Sequence, residues 1–590
     1  MRTMKSFIKI FFASFIALLI FSLIVFFIGM WLIGSAFEAS KPDIGSKAVL
    51  VLDLSKDFKE QGKENPVGSL TGDPSEDVPG LYDVVRMLHF AKTDSTIKGI
   101  YIKASDNANG FGSSEELRKA ILDFKQSKKF VIAYGEAMDQ KSYYVSTAGD
   151  KIYCHPNGGV DWDGFSLTLL FMKGLLDKLG IEPQVFYAGK FKSATEPFRV
   201  TKMTDANRLQ TTDLLNDLYG TFLEQTAKAR NIDTATLHQL AINGSIRTAY
   251  DALQYKLVDG LKYDDEVKAE LSTKLRQPVK DKINFITLGT YAKAADFMKN
   301  DGNNKIAIIY AQGDIVGGKN KDDEIGSDDY IGIIRKVRMD DDVKAIVFRI
   351  NSPGGSSLAS DAIWREITLA KKQKPLVVSM GDYAASGGYY IACSADSVFA
   401  DAGTITGSIG VFSILPNMQP FFNNKLGITF DGVKTAPYAD MGGANRPLTE
   451  TEKRFIQASV DSIYSTFKHR VAEGRKTAIV FIDSIAQGHV YTGQRAIALK
   501  LVDKTGTLQD AVDCAARMAK ISTYRTKEYP EKKSWLEQLM NSSSYKTSET
   551  ESAIKENIGE DQFKLMQQVK KLQQLMKAPQ ARLPFDLQIN

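Results

Sequence analysis

The sequence predicts an α/β protein in which two tandem copies of one fold follow a single membrane-spanning helix. Three observations support this prediction: an apolar run near the N-terminus, a self-similarity with a period of about 246 residues, and alternating strand and helix patterns within each copy. A length of 590 residues also favours several domains, because single hydrophobic cores stop growing at about 250–300 residues. The expected segments are a cytoplasmic N-terminus (1–9), a transmembrane anchor (10–34), a first repeat (45–300), a second repeat (304–522) and a C-terminal helical tail (523–590).

The anchor is predicted from residues 10–33, which are apolar apart from two serines and include no charged residue. A helix needs about 20 such residues to span a bilayer core, whereas the apolar region of a cleaved signal peptide has about 7–15. Residues 36–39 (Ala-Phe-Glu-Ala) leave a weak cleavage site as the alternative. Three basic residues precede the run, so the positive-inside rule places the N-terminus in the cytoplasm and the body outside.

Composition excludes several classes of function. The net charge of +5 is spread along the chain, without the basic stripe of a nucleic-acid-binding protein. Cys154, Cys393 and Cys514 lie far apart, form no metal-ligand spacing, and are too few and odd in number for a disulfide framework. We therefore expect three buried thiols, no metal and no cofactor.

The internal duplication rests on matched segments in nearly constant register. The segment IKGIYIK at Ile97 matches VKAIVFR at Val343, and YYVS at Tyr143 matches YYIA at Tyr389. Within the copies, β-branched runs alternate with helix-period segments, which is typical of a parallel sheet covered by helices. The predicted strands include 48–54, 305–310, 345–350 and 375–379, and the predicted helices include 360–372 and 387–395. In such sheets the loops at the carboxyl ends of strands form the site.

The two copies differ where chemistry is expected. In the second copy a strand ending near Met380 is followed by GDYAASGG, which contains Ser386, whereas the first copy has Gln140 at the equivalent position. Conversely, GKFKSATEPF in the first copy contains Lys192, and its counterpart in the second copy is Ala439. The second copy thus contains the serine that the first lacks, and the first contains the lysine that the second lacks.

Ser386 is the candidate nucleophile, and it needs a base to accept its proton. Its small neighbours allow a substrate backbone to approach closely, and a glycine-rich turn into a helix presents free N–H groups. We expect the N–H groups of Gly387 and Gly355 (in NSPGGS) to stabilise an oxyanion. Each motif alone is typical of a plain turn, but their joint presence in one repeat favours a site.

The base is predicted to be Lys192. None of the five histidines lies beside the nucleophile; His489 is the nearest alternative in the repeat pattern. A lysine serves near pH 7 only if its pKa of about 10.4 falls by about three units, which burial in an apolar pocket can cause. Spacing alone favours the alternative that Lys192 is an exposed, solvated lysine. Ser408, in TGSIG, is the candidate that fixes the amine, with a simple turn as its alternative.

These residues resemble the signal peptide peptidase A (protease IV) family in its long, duplicated form. The resemblance covers nearly the whole chain and rests on the N-terminal anchor and the motifs GKFKSATEPF, RINSPGG, GDYAASGGYYIA, TGSIGVF and GHVYTGQRAIALKLVD. It implies crotonase-like repeats related to the Clp protease subunit, and a Ser–Lys dyad formed by Ser386 and Lys192. It also implies oxyanion donors at Gly355 and Gly387 and a lysine-supporting role for Ser408.

The resemblance further implies a bacterial inner-membrane protein, of Gram-negative source, with a periplasmic, homotetrameric body. The implied substrates are signal-peptide remnants and other apolar peptides. Two other functions stay open: an acyl-CoA hydratase or isomerase, which needs an acidic pair in the pocket, and an inactive membrane scaffold. Whether Lys192 acts within its own chain or on a neighbouring subunit is also open, and we expect the same chain. The helical spacing of 560–576 predicts a helix that packs on the body or a neighbouring subunit, with a solvated helix as the alternative.

Overall fold

A computed structural model of the chain describes residues 11–25, 27–28, 41–62, 74–298, 302–319, 323–532 and 579–583. Residues 11–25 are helical. Within these described ranges, no helix has both the length and the apolar character needed to cross a membrane. The predicted anchor (10–34) is described only in part, and the predicted N-terminal tail (1–9) and tail helix (560–576) lie outside the described residues.

The first repeat alternates strands and helices as predicted. Its strands are β1 (Ala48–Asp53), β2 (Ile97–Lys103), β3 (Phe130–Met138), β4 (Lys151–Val160), β5 (Glu182–Ala188), β6 (Gly260–Leu261) and β7 (Phe285–Thr287). Its helices are α1 (Leu81–Ala91), α2 (Phe111–Lys125), α3 (Gln140–Ser146), α4 (Lys173–Leu179), α5 (Glu196–Arg199), α6 (Asp205–Arg230), α7 (Thr234–Ile242), α8 (Ala249–Gln254), α9 (Asp264–Lys274) and α10 (Leu288–Ala294), with 3₁₀ turns at Pro74–Glu76 and Ser193–Thr195.

The second repeat has the same alternation. Its strands are β8 (Lys305–Gln312), β9 (Asp314–Val316), β10 (Glu324–Gly326), β11 (Val343–Ser352), β12 (Gly354–Ser356), β13 (Leu376–Ala385), β14 (Ser397–Ala400), β15 (Ile405–Gly407), β16 (Val411–Asn417), β17 (Val490–Thr492), β18 (Lys504–Thr505) and β19 (Arg525–Tyr529), and β20 (Gln580–Arg582) follows near the C-terminus. Its helices are α11 (Ser327–Met339), α12 (Ser357–Lys371), α13 (Gly387–Ala392), α14 (Gln419–Phe421), α15 (Glu450–Arg475), α16 (Ile479–Ile485), α17 (Gly493–Ala498) and α18 (Leu508–Met518), with a π turn at Phe422–Leu426.

Two parallel sheets form the centres of the repeats. The first has the order β6-β4-β3-β2-β1-β7 and the second the order β17-β15-β13-β11-β8-β19, in which only the β15–β17 pair is antiparallel. Central strands such as β1 and β11 are nearly continuous apolar runs because helices cover both faces of a parallel sheet. The repeats also share a detail: Tyr143 donates its hydroxyl to the Leu257 carbonyl, and Tyr389 donates to the Leu501 carbonyl.

One predicted strand end is wrong. The strand expected to end near Met380 continues to Ala385, because its last residues pair with Ile405–Gly407 of β15. Strand β19 follows the predicted end of the second repeat at 522 and pairs with β8 in the way that β7 pairs with β1. The segment from 523 therefore begins with the last strand of the second sheet.

A third, mixed sheet joins the two repeats, with the order β10-β9-β12-β20-β16-β5. Strand β5 of the first repeat pairs antiparallel with β16 of the second along its full length, from Val411↔Ala188 to Asn417↔Glu182. The residues that follow β5 consequently enter the second repeat. This exchange of a strand brings the two halves of the predicted site together.

A buried ionic cluster also links the repeats. The Arg349 guanidinium is fully buried and donates to Glu60 at 2.8 Å and Glu116 at 2.6 Å, both from the first repeat. It also donates to the Ser379 hydroxyl and the Met380 carbonyl. Burial raises the pKa of Glu60, and the attraction of Arg349 opposes this rise. Each charge depends on its partners because none of them reaches water.

Candidate active site

Ser386 occupies the turn between β13 and α13. Its backbone has φ 55° and ψ −113°, a conformation that residues other than glycine seldom adopt and that is found mainly at functional sites. The Ser386 N–H donates to the Gly407 carbonyl at 2.8 Å, which holds the turn against β15. The side chain is fully buried. A strained strand-to-helix turn of this kind presents a hydroxyl at the start of a helix.

Lys192 reaches Ser386 because β5 carries the chain into the second repeat. The residues after β5 are held there by the Phe191 N–H, which donates to the Gln487 carbonyl at 2.7 Å. Gly488 packs against the lysine backbone so closely that a Cβ on it would lie 2.7 Å from the Lys192 nitrogen. The lysine side chain is 1% exposed. The alternative interpretation of Lys192 as an exposed surface lysine is therefore wrong.

The lysine amine has three polar neighbours. Its Nζ lies 2.9 Å from the Ser386 Oγ, 3.0 Å from the Ser408 Oγ and 3.1 Å from the Ser408 carbonyl oxygen. Among the described residues, no carboxylate forms an ion pair with it. Burial alone lowers the pKa of Lys192 well below its ordinary value. A neutral amine has two N–H groups for Ser408 and one lone pair that accepts the Ser386 hydroxyl.

Ser408 is held rigidly beside the amine. Its backbone φ is 51°, and its N–H donates to the His489 carbonyl at 2.7 Å. The ring of His489 stacks on Tyr491 and makes an edge-to-face contact with Phe191. Its Nδ1 forms a hydrogen bond with the Val490 carbonyl oxygen. Burial lowers the pKa of His489. The histidine thus supports Ser408 through its backbone, and its ring has no hydrogen bond to Ser386.

The two predicted oxyanion donors lie next to each other. A Cβ placed on Gly387 would lie 3.1 Å from the Gly355 nitrogen and 2.7 Å from the Ser360 Oγ. A Cβ on Gly355 would lie only 2.1 Å from the Ile315 carbonyl oxygen. Glycine is required at both positions because backbones approach each other closely there.

The positions equivalent to Ser386 and Lys192 in the opposite repeat hold neither a nucleophile nor a base. Gln140 begins α3 and donates its amide to the Gly164 carbonyl. Ala439 lies on an exposed turn, in a segment where residues 428–447 form no strand. The described residues therefore contain one site of this kind, shared between the repeats.

Sequence reasoning missed one supporting residue. The Gln210 amide of α6 donates to the Phe191 carbonyl at 3.0 Å and the Ser193 hydroxyl at 2.8 Å, and its oxygen accepts from the Val490 N–H. It thereby ties the lysine segment to β17. A single glutamine within a 26-residue helix has no sequence signal, since its partners come from distant parts of the chain.

A buried hydroxyl on a strained turn, hydrogen-bonded to a buried amine, defines the class of enzymes that attack a carbonyl group with serine. Comparison with known protein families identifies the family to which the chain belongs. Peptidase family S49 matches residues 123–277 and 368–522, which together make up more than half of the chain. The chain therefore belongs to peptidase family S49, contains the family domain twice in tandem, and is a serine protease.

Individual relatives agree with this assignment. "Protease 4" of Salmonella typhi is 35% identical, over 87% of this chain and 85% of the relative. "Serine protease SPPA, chloroplastic" of Arabidopsis thaliana is 32% identical, over 73% of this chain and 64% of the relative. Among solved structures, a point mutant of ClpP1 from Listeria monocytogenes is matched at 14% identity and a TM-score of 0.24, over 35% of this chain and 94% of that one. A score this low has no bearing on the fold.

Proposed function

We propose that the chain is a membrane-anchored serine endopeptidase in which Ser386 is the nucleophile and Lys192 of the same chain is the general base. The observation that supports this most directly is the 2.9 Å contact between the Lys192 Nζ and the Ser386 Oγ inside a buried site. Burial lowers the pKa of the amine, so the amine is free to take a proton. The hydratase alternative lacks support, because no carboxylate among the described residues bonds either group.

The proposed reaction proceeds in two halves. The Ser386 Oγ attacks the peptide carbonyl carbon while its proton passes to the Lys192 Nζ. The N–H groups of Gly355 and Gly387 stabilise the negative oxygen, and the new ammonium then protonates the departing amine. Water hydrolyses the acyl-enzyme ester with the same lysine as base. Ser408 positions the amine for both steps through its hydroxyl and its carbonyl.

The substrates we propose are extended apolar peptides, including the remnants of cleaved signal peptides. The proposal of membrane attachment is supported by the apolar run at 10–34, in which Phe11 and Leu18 are more than half exposed. A tethered site raises the effective concentration of peptides that reside in the same membrane. The body is proposed to lie in the periplasm of a Gram-negative bacterium, as a homotetramer of crotonase-like repeats.

The proposal is tested with the full chain purified in detergent. Wild type should react with a fluorophosphonate probe and hydrolyse a fluorogenic apolar peptide. Ser386→Ala and Lys192→Ala should each lower kcat/KM by at least about 10³-fold. The matched controls are Ser397→Ala, in the buried strand β14, and Lys190→Ala, an exposed lysine two residues from Lys192. Retained activity in either site variant would refute the assigned roles.

A further inference from the structure

Strand β13 contains a bulge shortly before the nucleophile. The pairing of β11 with β13 shifts register there, so that three residues of β13 (381–383) lie opposite the single residue Asn351 of β11. A bulge bends its strand and redirects the side chains that follow it, and bulges are frequent next to active sites. Strand β13 pairs with β14 before the bulge and with β15 after it. The bulge therefore determines how the chain enters the Ser386 turn.

The side chain of Asn351 bridges β11 and the bulge. Its amide oxygen accepts the Tyr383 N–H at 3.1 Å, and its backbone carbonyl accepts the Gly313 N–H at 3.0 Å. Tyr383 lies three residues before Ser386, and Asn351 lies four residues before Gly355, which is one of the two expected oxyanion donors. One side chain thus joins the segment that leads to the nucleophile with the segment that leads to an oxyanion donor.

A carboxylate of the first repeat orients this amide. The Asn351 Nδ2 donates to Glu60 at 3.1 Å. Because the Tyr383 N–H can only donate, the amide oxygen faces the bulge and the amide nitrogen faces Glu60. Glu60 is buried, and its own N–H donates to the Gln312 side chain of β8 at 3.1 Å. A Cβ on Gly381 would lie 2.6 Å from the Glu60 carboxylate, so the first residue of the bulge also packs against it.

The first repeat holds the middle residue of the bulge as well. The Asp382 carboxylate accepts from the Ser113 N–H at 2.9 Å and from the Ser113 hydroxyl at 2.6 Å, in the first turn of α2. The residue before this helix, Gly110, has no side chain that could cap it. A carboxylate at this place is stabilised by the free N–H groups and the dipole of the helix. The first repeat therefore contacts the bulge through both Glu60 and α2.

The equivalent position in the first repeat is different. Its counterpart of Asn351 is Ser105, which is exposed and whose hydroxyl accepts the Glu136 N–H at 3.0 Å. The amide that contacts the opposite repeat thus occurs in the copy that has the nucleophile, and it is not a feature that both copies need for their common fold.

We propose that Asn351, oriented by Glu60, is a positioning residue for the protease reaction. The first repeat would thereby place the nucleophile in addition to supplying its base. The inference rests on the proposed function, because it concerns the same Ser386 and the same oxyanion donors. Asn351 acts through the backbone of Tyr383, by keeping the Ser386 turn and the Gly355 N–H at a fixed separation. A displacement of about 1 Å in such an arrangement can lower the rate about 10²-fold.

The first test removes the amide from the full chain in detergent. Asn351→Ala should lower kcat for the fluorogenic peptide about 10- to 100-fold, because the Tyr383 N–H loses its acceptor, while KM stays within about 3-fold of wild type. Titration with the fluorophosphonate counts the reactive serines. We expect slower labelling but the same final number of labelled sites. Ser105→Ala, at the equivalent position of the first repeat, is the matched control and should change none of these quantities.

The outcomes separate positioning from folding. A fall in the number of labelled sites with a normal kcat per labelled site would show that Asn351 only maintains the fold, and would overturn the proposal. A kcat within about 3-fold of wild type would overturn it as well and leave the proposed function standing. A wild type that neither reacts with the probe nor hydrolyses the peptide would overturn both.

The second test examines the role of Glu60. In Asn351→Asp, a proton shared with Glu60 preserves both hydrogen bonds, whereas two ionised carboxylates repel each other. The other charged groups near Glu60 are Arg349, Glu116 and Asp382, and their net negative charge opposes the second ionisation. The ratio of variant to wild-type kcat should therefore fall at least about 10-fold between about pH 5 and about pH 9.

A double variant identifies the partner carboxylate. Combining Asn351→Asp with Glu60→Gln leaves one carboxylate at the contact, so the ratio of kcat values should no longer depend on pH. A ratio that is independent of pH in Asn351→Asp alone would mean that Glu60 does not orient Asn351. An unchanged pH dependence in the double variant would mean the same, and either result would overturn the proposal.

Discussion

Replacing Ser408 by alanine tests how the lysine is positioned. The change removes the hydroxyl that lies 3.0 Å from the Lys192 Nζ and leaves the Ser408 carbonyl at 3.1 Å and the Ser386 hydroxyl at 2.9 Å. A hydrogen bond contributes about 0.5–1.5 kcal/mol between neutral groups and about 1.5–3 kcal/mol when one group is charged. Because the amine becomes an ammonium as Ser386 attacks, the barrier rises by the difference between the two values, about 1–1.5 kcal/mol. We expect kcat to fall about 5- to 13-fold.

The same variant should change the pH dependence. The lost bond stabilises the ammonium more than the neutral amine, by about 1–1.5 kcal/mol, so its removal favours the neutral form. Since one pH unit corresponds to about 1.36 kcal/mol, the acid limb of the activity profile should move about one unit toward lower pH. In wild type this limb should already lie well below the ordinary lysine pKa, and a profile still rising steeply above about pH 10 would contradict the assignment of Lys192.

The assay is hydrolysis of the fluorogenic peptide, with kcat and kcat/KM measured from about pH 5 to about pH 10. Ser397→Ala is the matched control and should leave both quantities and the limb unchanged. A fall in kcat without movement of the limb, or movement toward higher pH, would refute the argument that Ser408 acts on the protonation of Lys192. An unchanged kcat would remove Ser408 from the mechanism altogether.

Three further variants test other parts of the structure. Lys192→Met should raise the free energy of unfolding near neutral pH, and this gain should shrink as the pH approaches about 10.4. Between neutral pH and about pH 10.4 the lysine is protonated only in the unfolded chain, so its burial costs less as the pH rises. Denaturant titrations at several pH values measure the gain. A gain independent of pH would contradict the depressed pKa. Gly387→Ala should lower kcat about 10²–10³-fold by displacing an oxyanion donor, whereas Gly174→Ala, where a Cβ meets nothing within 4 Å, should not. Arg349→Ala should lower the free energy of unfolding by about 3–5 kcal/mol by leaving two buried carboxylates unpaired. The more exposed Arg335→Ala should cost at most about 1 kcal/mol in the same denaturant titrations, and equal costs would contradict the importance of burial.

The repeats and their central strands could be predicted from the sequence because parallel strands buried on both faces are continuous apolar runs. The runs at Ala48 and Val343 show this pattern, and the predicted strands 48–54 and 345–350 lie within one residue of β1 and inside β11. Strand ends were less predictable. Gly381 and Asp382 suggest a turn, yet the strand continues through them because β15 offers partners to the residues that follow.

The proximity of Lys192 and Ser386 was predicted because the first repeat lacks the serine and the second lacks the lysine; no local sequence motif indicates it. The means of bringing them together was not predictable, because the pairing of β5 with β16 depends on contacts between residues far apart in sequence. The same holds for Gln210 and for β20, whose short strand carries no periodicity long enough to recognise. Single polar side chains and three-residue strands are determined by tertiary contacts alone.

The pairing of β5 with β16 has a consequence for the time at which the enzyme becomes active during synthesis. A chain made from its N-terminus contains Lys192 long before it contains Ser386, Gln487 or Gly488. Until those residues have been added, the lysine has neither the partner nor the packing that removes it from water, and it stays protonated. Under the proposed mechanism the nascent first repeat therefore has no hydrolytic activity, which begins only when the second repeat packs over the amine.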